Sequence, residues 1–175
     1  MQFLDHTLAW ARGEAFEMSL LATAGVVVLV VAGLMWRFAP TPVGQALPIP
    51  LVVVALIFLA GGLGGSIGSQ DRLADYAAAF NQDPVAFVHA EKARVEAFEA
   101  LYTYTLIGAA VAFAAALALF VFSEHATLRA IAVALVFLGL SALIVDMFSK
   151  ERAVTYANAI EAEIEQTTSS TAESE

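Results

Sequence analysis

The chain has 175 residues and a net charge of −9, with 60% hydrophobic and 14% charged residues, and its mean hydropathy is +0.77. That is too apolar for a water-soluble domain, where apolar residues make up about half and charged ones about a quarter. The lack of Cys excludes disulfides and thiolate metal sites. Only eight Lys and Arg leave no basis for a nucleic-acid partner, because phosphate contacts need bases.

Residues 1–17 carry Asp5, Glu14 and Glu17 but only Arg12 among the bases, the wrong balance for the head of a signal peptide. Four apolar runs follow: Met18–Trp36, Leu47–Gly68, Leu101–Phe122 and Ala130–Val145. A helix of about 20 such residues crosses roughly 30 Å of hydrocarbon. Four transmembrane helices are therefore expected at about residues 18–36, 47–68, 101–122 and 127–148. Trp10 and Trp36, flanking the first, and Tyr102 and Tyr104, opening the third, read as interfacial anchors.

In chain order the second run holds GGLGGSIG at 61–68, where Gly61, Gly65 and Gly64, Gly68 both fit G-x-x-x-G. Small residues let helices approach closely in lipid, so these four are the expected packing glycines, and Gly108, Ala112 and Ala116 suit the same packing. NQDP at 81–84 reads as a turn, with Pro84 opening the next helix. The connection RFAPTPVGQALPIP carries four prolines, and SEHATLR, the other short connection, carries none. Its His125 reads as incidental. Asp146 is the one acid within the apolar flow of the fourth run, and an intramembrane acid raises a proton- or cation-pathway reading. QTTSSTAESE at 166–175 lacks an apolar anchor and is expected to be a disordered acidic tail.

Two signatures recur. ARGEAFE at 11–17 returns as ARVEAFE at 93–99, and SQDRLADYA at 69–77 as SKERAVTYA at 149–157. Each half thus reads as a charged heptapeptide, a span, a short connection, a span and a second charged motif. The expectation is an all-α, four-helix transmembrane bundle built from two parallel repeats of a two-helix hairpin, residues 1–80 and 86–165, with helical cytoplasmic extensions. Arg12, Arg72, Lys92, Arg94, Lys150 and Arg152 fall on one side and Arg37 and Arg129 on the other. The excess of bases places both termini in the cytoplasm of a cell whose inner membrane holds the chain.

The charged motifs are the candidate site. Arg12, Glu14, Glu17, Asp71, Arg72, Arg94, Glu96, Glu99, Glu151 and Arg152 are expected to form an ion-pair network between helices. Glu17 and Glu99, at the mouths of their spans, should meet the arginines ending the second and fourth helices, because charges beside lipid are costly unless paired. Arg72–Tyr76 and Arg152–Tyr156 are four apart, close enough for a guanidinium to lie on a ring. Carboxylates on four helices also suit a dinuclear metal site, but no Glu-x-x-His spacing accompanies Glu14, Glu17, Glu96 and Glu99. No phosphate-binding loop, nucleophile elbow or zinc-protease motif is present. No cofactor is expected.

The layout W-A-R-G-E-x-F-E, span, W-R-F-x-x-T-P, span, D-P-x-A-F-x-x-A-E-K-x-R-V-E-x-F and D-M-F-S-K-E-R-A-x-x-Y resembles a family of small uncharacterised bacterial four-span membrane proteins. The resemblance covers roughly residues 8–160. It implies the four-span topology and no catalytic or binding residue. The expected function is non-enzymatic: an assembly or accessory membrane protein showing an acidic helical stalk to a cytoplasmic partner, with membrane lipid and a second copy as further partners. The alternatives are a small transporter or channel and a carboxylate metal site.

Overall fold

The computed structural model describes residues 2–172. Five helices follow in order: α1 (Gln2–Phe38), α2 (Pro42–Ala46), α3 (Pro48–Gln82), α4 (Pro84–Phe122) and α5 (Ala126–Ala172). The four long ones are each long and apolar enough to cross a membrane, as in a multi-pass membrane protein. Lipid enforces this choice, since a helix satisfies its own backbone where no water can. At about 1.5 Å per residue, the 47 residues of α5 reach about 70 Å, more than twice the hydrocarbon thickness of roughly 30 Å. Every long helix therefore has an apolar half and a polar half.

The turns are built by local chemistry. Asp83 caps α4 in an extended conformation, its carboxylate accepting from the Ala86 N–H at 2.9 Å, and Pro84 takes the first helical position, where its missing N–H costs nothing. The expected turn at 81–84 is thus a single residue between two helices. The proline-rich connection is not plain loop. Thr41 accepts from the Gly44 N–H at 3.1 Å and Pro42 opens the short α2. α5 continues as helix past Gln166 to Ala172, into the segment expected as tail. No Pro or Gly stops it there, and residues 173–175 lie outside the described part.

α1 lies chiefly against α3, and α4 against α5. The α1–α3 seam is the closest. A Cβ on Gly62 would stand 2.6 Å from the Met18 carbonyl oxygen, and one on Gly25 would stand 3.0 Å from that of Ala55. Further along, Val54 and Phe58 of α3 meet Ala134 of α5, and the Phe58 and Phe137 rings are 6.0 Å apart. Most other apolar side chains in these halves face outward, Val30, Leu34, Leu117 and Val121 among them, as lipid-facing residues do.

The four polar halves meet at one end and form a core of their own. Phe3 and Ala11 of α1, Tyr76 of α3, Phe87, Val88 and Val95 of α4, and Tyr156 and Ile160 of α5 are all buried there. Burying a Phe or Ile side chain stabilises by about 1.5–3 kcal/mol. This end is a packed four-helix bundle, and it positions the candidate site.

Candidate functional site

The centre of the polar bundle holds a closed set of hydrogen-bonding groups. Glu91 on α4 is 4% exposed and Thr7 on α1 is fully buried. One turn after Glu91 on the same helix, Arg94 grips its carboxylate with two N–H groups: Nε donates to Oε1 at 3.0 Å and Nη2 to Oε2. Such bidentate pairs are among the strongest hydrogen bonds available to side chains. Tyr156 of α5 approaches from the other side, its hydroxyl 2.7 Å from Glu91 Oε2 and 2.9 Å from Thr7 Oγ1. Thr7 Oγ1 also reaches the Phe3 carbonyl at 3.2 Å.

An ionised carboxylate only accepts. Tyr156 therefore donates chiefly to Glu91, with Thr7 Oγ1 as the longer second acceptor, and Thr7 donates to the Phe3 carbonyl. Aromatic rings close the cluster. The Arg94 guanidinium carbon lies 4.4 Å from the Trp10 ring centre and 5.5 Å from that of Tyr76. Trp10 itself stacks on Tyr156 at 5.3 Å. All four long helices thus contribute to one cluster. Burial raises the Tyr156 hydroxyl far above the ordinary tyrosine value, and burial also raises Tyr76, against the pull of Arg94. Burial works to lower Arg94, but its bonds to Glu91 outweigh this and the net shift is upward.

Nearer the apolar halves, two ion pairs tie helices together. Glu17 of α1 meets Arg152 of α5, and Glu14 of α1 lies 3.9 Å from Arg72 of α3. Arg152 runs across Gly13, where any Cβ would collide with its guanidinium. Ser19 and Ser66 add a hydroxyl contact of 3.1 Å between α1 and α3.

The expected site residues divide accordingly. Glu14, Glu17, Arg72 and Arg152 are brought together across helices. Arg94 goes to Glu91, a residue outside the expected network. Glu96 is exposed and, among the described residues, pairs with Lys92 along its own helix, at 3.9 Å. Arg12, Asp71 and Glu151 are exposed and enter none of the ion pairs found among the described residues. The Glu99 side chain lies outside what the structure describes. The ring of Tyr76 takes Arg94 and not Arg72. Trp10 is packed against the polar core, its ring on Tyr156 and Phe98, whereas Trp36 is 71% exposed.

The glycines divide too. Among the described residues, a Cβ added at Gly62 or Gly65 would press on Met18 of α1, one at Gly61 would reach Leu21 at 3.8 Å, one at Gly68 would reach Arg72 at 3.9 Å, and one at Gly64 would meet nothing within 4 Å. The close seam thus runs through Gly62 and Gly65, and of the four expected packing glycines only Gly65 lies tightly against α1. Asp146 lies beside the Thr105 hydroxyl of α4. Among the described residues no three of His, Asp and Glu gather as metal ligands do.

The two copies of the heptapeptide are used differently, and one residue explains it. Glu91 stands three residues before Arg94, while Ala9 stands three before Arg12. With an acid inside the bundle, Arg94 is drawn in. Without one, Arg12 stays in water. No protein-family model, curated protein or solved structure matches this chain.

Proposed function

We propose that the chain is a non-enzymatic inner-membrane protein of assembly or accessory type, whose polar bundle docks a basic surface of a partner protein. One observation carries this reading: three of the bundle's arginines are taken up by acids, and on its exposed surface the acids outnumber the bases that remain, Arg12 and Lys150 among them. Arg94 is spent on Glu91, Arg152 on Glu17 and Arg72 on Glu14. Asp5, Asp71, Asp75, Glu96, Glu161 and Glu165 all stay exposed. A surface of one sign steers and selects a partner of the other.

The polar bundle stands in the cytoplasm in this reading, supported by the six-to-two excess of Lys and Arg at its end of the helices. The chain arose as two parallel copies of a two-helix unit; the recurring motifs support this, as does the pairing of α1 with α3 and α4 with α5. A transport path between the halves has less support, because the surface where they face each other is lined mainly by apolar side chains such as Leu21, Phe58 and Phe137.

The test is purification from native membranes in mild detergent. A partner should be retained at low salt and released by E161K/E165K, two changes on one face of α5, with the helical content unchanged. A monodisperse monomer without a partner contradicts the reading. So does a partner that stays bound to the charge-reversed chain.

A further inference from the structure

A groove of about 610 Å³ runs between α1, α3 and α5 in their apolar halves. Its wall is Leu21 and Ala24 of α1, Phe58 of α3, and Phe137, Ile144 and Phe148 of α5. Leu20, Ile144 and Phe148 are exposed, so the groove opens sideways, toward whatever surrounds the apolar halves. At its polar end stand Glu17, Glu151 and Arg152.

Its dimensions and its charges point to the same occupant. From Phe137 to Phe148 the helix advances about 16 Å, close to half of the roughly 30 Å hydrocarbon layer. The apolar wall therefore runs for the depth of one leaflet and ends where headgroups lie. A guanidinium has five N–H donors and a carboxylate engages two at most. Arg152 thus keeps donors for a phosphate oxygen after pairing with Glu17. Glu151, the residue before it on the helix, is exposed and enters none of the ion pairs among the described residues, leaving an anion for a cationic group. Adjacent acid and base at the mouth of an apolar slot match a head that carries both signs.

We propose that this groove seats one acyl chain of a zwitterionic phospholipid from the leaflet beside the polar bundle, with its phosphate at Arg152 and its ammonium at Glu151. The chain fills the gap left between the α1–α3 pair and α5, and the lipid becomes part of the contact between them. This does not rest on the docking role of the polar bundle.

The test places the full chain in vesicles of equal phosphatidylethanolamine and phosphatidylglycerol. A trace of either lipid carries a mid-chain diazirine, and photolabelled peptides are mapped. Labelling should concentrate on residues 137–148 and favour the phosphatidylethanolamine probe by about tenfold. Filling the slot with S141F should remove that labelling, and L117F, on the outward face of α4, should leave it unchanged. E151Q, which leaves the slot intact, should abolish the headgroup preference while far-UV circular dichroism stays the same. Label spread evenly over α4 and α5, equal labelling by the two probes, or label that survives S141F overturns the proposal. Protection of the groove by a second copy, seen as a protein–protein crosslink through it, also overturns it.

Discussion

Glu91 and Arg94 are the residues on which the polar bundle turns. A buried ion pair adds little over a well-packed apolar pair, but removing one partner strands the other and costs about 3–5 kcal/mol. Glu91→Ala should therefore destabilise the polar bundle by about that amount, read by denaturant unfolding in detergent with the fluorescence of Trp10, which lies under Arg94. Arg94→Ala should be severe for the same reason, while Arg12→Ala, at the matching place in the other heptapeptide, should stay within about 0.5 kcal/mol. Equal effects at the two arginines would contradict the assignment. Tyr156 adds a pH dependence. Its folded value is raised, so the folded chain keeps a proton that the unfolded chain releases. Stability is then fully present below the ordinary tyrosine value of about 10 and falls above it, by at most about 1.4 kcal/mol per pH unit for this group. Tyr156→Phe should flatten the alkaline slope, leaving the smaller part owed to Tyr76.

The cluster could not be read from the sequence as the spans could. HAEKARVEAFE looks like the solvated face of a helix, with Glu91 one charge among several. The available signal was a difference: the two heptapeptide copies agree at all but one position, Gly13 against Val95, and the residue three before the arginine is Glu in one and Ala in the other.

At the scale of elements, the seam between α1 and α3 depends on where a missing Cβ is needed. Gly62→Leu must push the Met18–Ala22 turn of α1 away. Overpacking of this kind costs about 1–3 kcal/mol or more. Gly64→Leu, two residues on, points into open space and should cost less than about 0.5 kcal/mol. Melting of the two variants in the same detergent measures the difference, and a reversed order would contradict the placement of the seam. A G-x-x-x-G pattern marks a helix that can pack closely but not which of its faces does so, because four glycines in five residues offer several. The Glu17–Arg152 contact links α1 to α5 in the same region. A double-mutant cycle with Glu17→Gln and Arg152→Gln should give a coupling of about 1 kcal/mol, near the upper end for partly exposed pairs. Zero coupling would remove it as a tie between helices.

Over the whole molecule, the spans were legible because lipid allows few solutions: about 20 apolar residues must form a helix that satisfies itself. That the polar half of α5 would be helical was legible as well, from the Ala and Glu at 150–165 without Pro or Gly. The core shared by the four polar halves was not. Tyr156, Thr7 and Trp10 come from distant parts of the chain, and only the fold brings them to Glu91. The whole arrangement needs the four polar halves on one side of the membrane and the two short connections on the other. The chain has no Cys, so single cysteines can be placed without background. Gln82→Cys and Asn158→Cys mark the polar bundle, and Thr41→Cys and Glu124→Cys mark the connections, all at exposed positions. In sealed vesicles of one orientation, an impermeant maleimide should label one pair and spare the other until the vesicles are opened. Labelling of Gln82→Cys and Glu124→Cys from the same side would contradict the account.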